Sequence, residues 1–213
     1  MSEPAPTYFR LLLVGVGGQG CVTAARVLGD AAVAGGSSAH IGELHGMSQR
    51  GGSVEASVVV GPGSSGMIGP GQADVVLGLE PVETWRAVGR MNARTRVLMN
   101  SGCIVPATLT HQGKTYPPLP EVLGAIRAAT SHVTVVDGSR LASEAGFPRA
   151  ANVVMLGALS ALGYLPFNEE TLLQAVLGRS PKRFVEDNSR AFELGTQAIE
   201  ALGRRAHQPA RGA

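Results

Sequence analysis

FRLLLVGVGGQGCVTAARVLG, residues 9–29, passes from a continuous apolar run into clustered glycines and then into helical spacing. The run Tyr8–Val16 has the length and the uniform apolarity of a strand buried on both faces of a parallel sheet. The turn Gly15–Gly20 follows at once, and Gln19–Gly35 carries a helical stripe through Val22, Ala25, Leu28 and Ala32. Strand, glycine loop and helix in that order predict an α/β unit whose loop lies at the carboxyl end of a strand.

Downstream, the alternation repeats. Ser37–Ile41 reads as a short strand, and the polar stretch Gly42–Gly52 has neither strand nor helix period. Val54–Val60 and Ala73–Leu79 read as strands, and the Gly/Pro/Ser-rich segment Gly61–Gly71 reads as a hairpin loop around Met67–Ile68, which predicts a mixed sheet. Glu83–Arg90 reads as a helix, Thr95–Met99 as a strand, and the proline-rich Ile104–Pro120 as irregular chain. A helix at Glu121–Ala129, a strand at Val133–Asp137 and a helix at Ser139–Ala145 follow. After Pro148 only helices are expected. The first is the apolar Ala150–Leu162, and Glu169–Leu177 follows behind an Asn168 cap. A long helix opens at Ser180-Pro181 and runs to about Arg204, with Asn188 on its apolar stripe. The fold class expected is a three-layer α/β/α domain with a mostly parallel, mixed, Rossmann-like sheet plus C-terminal helices. It spans residues 8–204 with a helical portion at 150–204, between a disordered lead-in (1–7) and a disordered tail (205–213).

Bulk properties exclude several function classes. The chain has 213 residues, 18 basic and 16 acidic, and only 4% aromatic. A basic face interleaved with aromatics, the footprint of nucleic-acid binding, is not legible. No apolar run reaches membrane-spanning length, and the run before the glycines is too short for a secretory signal. Two distant cysteines, Cys21 and Cys103, supply neither a zinc site nor a cluster motif, and they read as reduced thiols of a cytoplasmic protein.

Two segments carry candidate chemistry. Gly15, Gly17, Gly18, Gln19 and Gly20 form a G-x-G-x-x-G turn between strand and helix, where backbone N–H groups face an anion. Three readings stay open: a dinucleotide, with Glu43 near the position of the acidic residue; another anion, such as a coenzyme A phosphate; or a glycine turn used for packing alone. The second segment, GELHGMSQRGGS at 42–53, places His45, Gln49 and Arg50 among Gly51 and Gly52. Arg50 offers a planar fork for phosphate or carboxylate, and the His45 imidazole can hydrogen-bond or ionise. Asn100-Ser101-Gly102-Cys103 ends a strand at the same edge, without a partner that makes Cys103 a nucleophile. Asp137 reads as a helix cap in preference to an acid catalyst. No catalytic residue and no metal ligand is assigned.

The segments GVGGQG, HGMSQRGGSV, ANVVMLGAL and FVEDNSRAFELG, in this order, resemble the gamma-type subunits of 2-oxoacid:ferredoxin oxidoreductases over about Phe9 to Gly203. The second and last segments are most similar to the indolepyruvate branch, in its beta subunit. The resemblance implies a heteromeric enzyme that oxidatively decarboxylates an arylpyruvate to an acyl-coenzyme A and reduces ferredoxin. It implies a large alpha subunit bearing thiamine diphosphate and [4Fe–4S] clusters, and a small chain inactive by itself. Coenzyme A would lie at Gly15, Gly17, Gly18, Gln19 and Gly20, with His45, Gln49, Arg50, Gly51 and Gly52 beside it, and Asn188 would be structural. The competing expectations are a free-standing NAD(P)-dependent or anion-binding Rossmann-like protein and a ligand-binding module without a partner.

Overall fold

The computed structural model describes residues 8–45, 51–63, 65–105 and 115–206. The expected lead-in (1–7), the middle of the proline-rich region and residues 207–213 of the expected tail lie outside them.

Six strands form one sheet: β1 (Phe9–Val16), β2 (Ala39–His45), β3 (Ser53–Val60), β4 (Val75–Gly78), β5 (Arg96–Asn100) and β6 (Val133–Val136). Their order is β2-β3-β1-β4-β5-β6. β1, β4, β5 and β6 are parallel, whereas β3 runs antiparallel to both β1 and β2. The mixed sheet is therefore as expected, but its antiparallel part is not. β3 and β4 form no hairpin with each other, because β1 lies between them. The hairpin is β2–β3, and the polar loop closes it. The polar side chains after Ile41 hid this, since β2 is an edge strand whose outer side is free of core demands and continues to His45.

Alternate side chains of β1 supply two cores. Leu11 and Leu13 pack under α1 (Cys21–Ala34) and the C-terminal helices, and Leu12 and Val14 face the other way. That second face is covered by α2 (Pro81–Arg86) with its following 3-10 turn (Ala87–Arg90), and by α3 (Leu119–Ala129). The first face also carries α4 (Gly138–Glu144), α5 (Ala151–Ala161), α6 (Glu169–Arg179) and α7 (Val185–Ala206). Among the described residues no helix is long and apolar enough to cross a membrane.

Asn168 caps α6, its side chain accepting from the Thr171 N–H at 2.8 Å. Ser180-Pro181 does not open α7. Ser180 ends α6, its hydroxyl donating to the Val176 carbonyl at 2.8 Å, and a 3-10 turn at Lys182–Phe184 precedes Val185. The same hydroxyl accepts from Asn188 Nδ2 at 2.8 Å, which satisfies the amide on the apolar stripe of α7.

α5 and α7 cross with almost no side chain between them. A Cβ on Gly157 would stand 2.0 Å from the Phe192 carbonyl oxygen, and one on Gly195 1.9 Å from that of Val154. Gly195→Ala is therefore expected to destabilise the chain by about 1–3 kcal/mol through overpacking. Gly124→Ala, where α3 meets open space, should stabilise by about 0.5–1 kcal/mol. Urea denaturation of the two variants checks both signs.

Candidate functional site

At the carboxyl edge of the parallel strands, β1 turns through Gly17–Gly20 into α1. Gly18 and Gly20 have φ of 104° and 83°, a region that an L side chain rarely adopts. Gly20 is the N-cap of α1, which carries neither a side-chain cap nor an acidic residue in its first turn. Its orphan amides thus face an open cleft of about 470 Å³ lined by Gly17, Gly18, Gly20, Thr23, Glu43 and Val54, among others. Among the described residues no group accepts from the N–H of Gly18 or Gly20.

The glycines do not share one task. A Cβ on Gly18 would meet nothing within 4 Å, so that position is open to a ligand. On Gly20 it would stand 2.5 Å from Asn152 Nδ2, and on Gly15 2.7 Å from Gln19 Oε1. Those two serve packing. Gln19 is engaged at both ends: Oε1 accepts from Val16 N at 2.7 Å, and Nε2 donates to the Leu79 carbonyl at 2.8 Å. It holds the turn, and the backbone is what faces the cleft.

The two predicted segments meet. Gly17 N donates to the Gly52 carbonyl at 2.8 Å, and Gly51 N to that of Gly17 at 3.4 Å. Val54 pairs with His45 on β2 and with Gly15 on β1, so the backbone of His45 ends level with the glycine turn. Gln49 and Arg50 lie outside the described residues. Asn100 closes the same edge, with Nδ2 donating to the Leu79 carbonyl at 3.1 Å and Oδ1 accepting from Gly138 N at 3.0 Å. Asp137 is a cap, accepting from Arg140 N at 2.9 Å.

Sequence reading missed two buried carboxylates, Glu80 and Glu83. Glu80 follows β4 and caps α2, accepting from Glu83 N at 3.0 Å; it also accepts from the Tyr116 hydroxyl and from Ile104 N. Burial, and then the bond to Glu80, pushes the Tyr116 phenol above its ordinary range. Glu83 accepts from Ser53 Oγ at 2.6 Å and pairs with Arg86 at 2.7 Å. The E-P-x-E spacing, a cap followed by proline at the first helical position, was the available signal.

A dinucleotide does not fit this edge well. The acidic residue that holds a ribose belongs on the strand beside β1. Here β3 intervenes, so Glu43 on β2 stands two strand spacings, about 10 Å, from β1. Its carboxylate is also occupied by Arg26 at 3.1 Å.

Residues 10–198 match the family described as pyruvate ferredoxin/flavodoxin oxidoreductase. The chain belongs to this family. The indolepyruvate oxidoreductase subunit IorB of Archaeoglobus fulgidus is 37% identical over 190 residues, covering 89% of this chain and 94% of the relative. That of Thermococcus kodakarensis is 38% identical over 196 residues, 91% and 97% of the two chains. Among solved structures, the gamma subunit of a keto/oxoacid ferredoxin oxidoreductase from Geobacter sulfurreducens superposes with a TM-score of 0.66 at 26% identity. The match covers 91% of this chain and 99% of that one. A 2-oxoglutarate:ferredoxin oxidoreductase from Magnetococcus marinus, solved with 2-oxoglutarate, coenzyme A and succinyl-CoA, gives 0.69 at 20% identity over 92% of this chain and 31% of that one. At that identity it shows the fold alone.

Within this oxidoreductase family member, the described residues hold no group of three His, Cys, Asp or Glu placed to bind a metal ion. Cys21, the first residue of α1, is buried, and burial pushes its thiol up to about 12, with the Glu83 charge adding to the rise. The neutral thiol is kept in the fold while an unfolded chain ionises near 9, so this contribution to stability is full below pH 9 and is lost as pH rises towards 12. Cys103 is exposed. At pH 8 a thiol reagent should modify Cys103 in the native protein and leave Cys21 intact. Mass spectrometry of labelled peptides, native against urea-unfolded, checks this.

Proposed function

We propose that the chain is the small subunit of a thiamine-diphosphate-dependent indolepyruvate:ferredoxin oxidoreductase. The observation that carries this reading is the match to IorB chains at 37% and 38% identity along nearly the whole of both sequences. The overall reaction takes an arylpyruvate, coenzyme A and two oxidised ferredoxins. It yields the aryl-acetyl-coenzyme A, carbon dioxide, a proton and two reduced ferredoxins. A larger alpha subunit would hold thiamine diphosphate and the [4Fe–4S] clusters, and the assembly would work in the cytoplasm. The small chain by itself would not turn over substrate.

The glycine edge is our candidate for coenzyme A. The residues present fit a phosphate there: an uncapped helix start, the unclaimed amides of Gly18 and Gly20, and the open space over Gly18. His45, Gln49 and Arg50 complete the proposed site from the adjoining segment, with Gly51 and Gly52 bonded to the turn. When bound, coenzyme A would supply the thiol that accepts the acyl group. What this chain would do is hold the phosphates and exclude nothing larger, since the cleft is open on its outer side.

Co-expression with the thiamine-bearing chain from the same source tests the assignment. A stable heteromer that reduces ferredoxin with indolepyruvate, and loses that activity when the small chain is omitted, is expected. Within it, Arg50→Ala and Thr23→Glu should each raise the KM for coenzyme A about tenfold, with little change in that for the 2-oxoacid. Activity of the large chain without this one, at the same rate, rejects the assignment. Unchanged KM values in both variants reject the glycine edge.

A further inference from the structure

The opposite edge of the sheet, where β1, β4 and β5 begin, carries a second cleft of about 490 Å³. Its lining includes Tyr8, Phe9, Asp74, Arg94, Arg96 and Tyr164. The chain has three tyrosines and five phenylalanines, yet two of the former and one of the latter meet here. Arg96 lies over the Tyr164 ring at 4.7 Å, and Arg10 over that of Tyr8 at 5.1 Å.

The charge at this edge is out of balance. Among the described arginines, Arg26, Arg86, Arg90, Arg140, Arg179 and Arg204 have a carboxylate partner, and Arg10, Arg127, Arg149, Arg183 and Arg190 do not. Among the described residues neither Arg94 nor Arg96 has one, and no side-chain acceptor meets either guanidinium. The one carboxylate in the lining, Asp74, accepts from Arg10 N at 2.8 Å and so faces the backbone of β1. The Asn92 amide is likewise engaged, donating to the Gly71 carbonyl at 2.7 Å and accepting from Arg94 N at 2.8 Å. What remains for a ligand is aromatic surface and two guanidinium forks.

We propose that this cleft binds a nucleoside phosphate, the base against the tyrosine rings and the phosphates at Arg94 and Arg96. The volume falls within the range of small-molecule sites. A single exposed ion pair contributes little, so a simple carboxylate would be held weakly. A polyphosphate makes several charge-assisted bonds at once to planar guanidinium forks, and a base adds stacking and cation–π contact. The adenosine phosphate head of coenzyme A has the same chemistry as a free nucleotide, and both are sources of such a ligand.

Calorimetric titration of the full chain with ADP tests the site, alongside adenosine, inorganic phosphate and coenzyme A. Saturable ADP binding is expected, at least tenfold tighter than adenosine or phosphate alone and weakening as salt is raised. Arg94→Glu and Arg96→Glu should each lower ADP affinity at least tenfold, whereas Glu200→Gln, on α7 and in neither cleft, should leave it within twofold. Coenzyme A competing with ADP identifies the cofactor head as the source, and failure to compete identifies free nucleotide. No ADP binding up to millimolar concentration overturns the proposal. So does binding that both Arg94→Glu and Arg96→Glu leave intact, because the nucleotide is then held elsewhere. Competition by coenzyme A would place its adenosine phosphate head here and not at the glycine edge, and the KM test reads that edge separately.

Discussion

One backbone carbonyl, that of Leu79, organises the carboxyl edge of the sheet. It receives two side-chain amides, Gln19 at 2.8 Å and Asn100 at 3.1 Å. A buried carbonyl just past the end of a short parallel strand has no ladder partner and must find one elsewhere. Here the two donors come from the turn after β1 and from the last residue of β5. Asn100 then reaches, through Oδ1, the amides of Gly102 and Gly138, and Gln19 returns through Oε1 to Val16 N. The turns that follow β1, β4, β5 and β6 are thereby joined in one hydrogen-bonded frame. The glycine loop is built in advance of any ligand, so ordering it costs little when one binds.

Much of this was legible from residue pattern, and the misses have physical causes. The apolar blocks of β1, β3, β4 and β5 marked their strands because those strands are buried on both sides. β2 was read short because an edge strand tolerates Gly42, Glu43 and His45, which carry no apolar signature. The neighbour relations of β3 were read wrongly because loop composition does not say which strand a chain returns to. Ser180 looked like a cap for the helix ahead and instead ends the helix behind. A serine before a proline has the same appearance in both roles, and Asn188 eight positions on was the distinguishing partner. At the site, the spacing of the glycines was visible and their division of labour was not. Only the packing of Asn152 and Gln19 tells Gly20 and Gly15 apart from Gly18.

The antiparallel β3 has a chemical consequence. In a doubly wound nucleotide fold the second strand lies next to the first, which brings its acidic end beside the glycine turn. Inserting β3 there moves Glu43 away and puts Ser53 opposite Val16 in its place. The glycine motif is kept while the partner that selects a ribose is removed. Within the same signature, Gly17 continues the ladder to Gly52, which leaves the amides of Gly18 and Gly20 as the ones facing the cleft.

The buried acids beside the loop set a further condition. Glu80 is capped by backbone and phenol donors, and Glu83 is held by Ser53 and Arg86, so neither is left bare. Even so, the charge of Glu83 is felt at Cys21, the first residue of α1. An anion at the helix start therefore meets an attractive set of amides and a carboxylate that Arg86 already pairs, in a cleft open to solvent. The partial charge of a helix terminus is about half a unit, so the amides alone hold an anion weakly there. On the coenzyme A reading proposed above, a cation beside the turn would add to that hold. Arg26 is taken by Glu43 and Arg86 by Glu83, so the site proposed for coenzyme A looks to Arg50, one residue before the glycines bonded to the turn, for its cation.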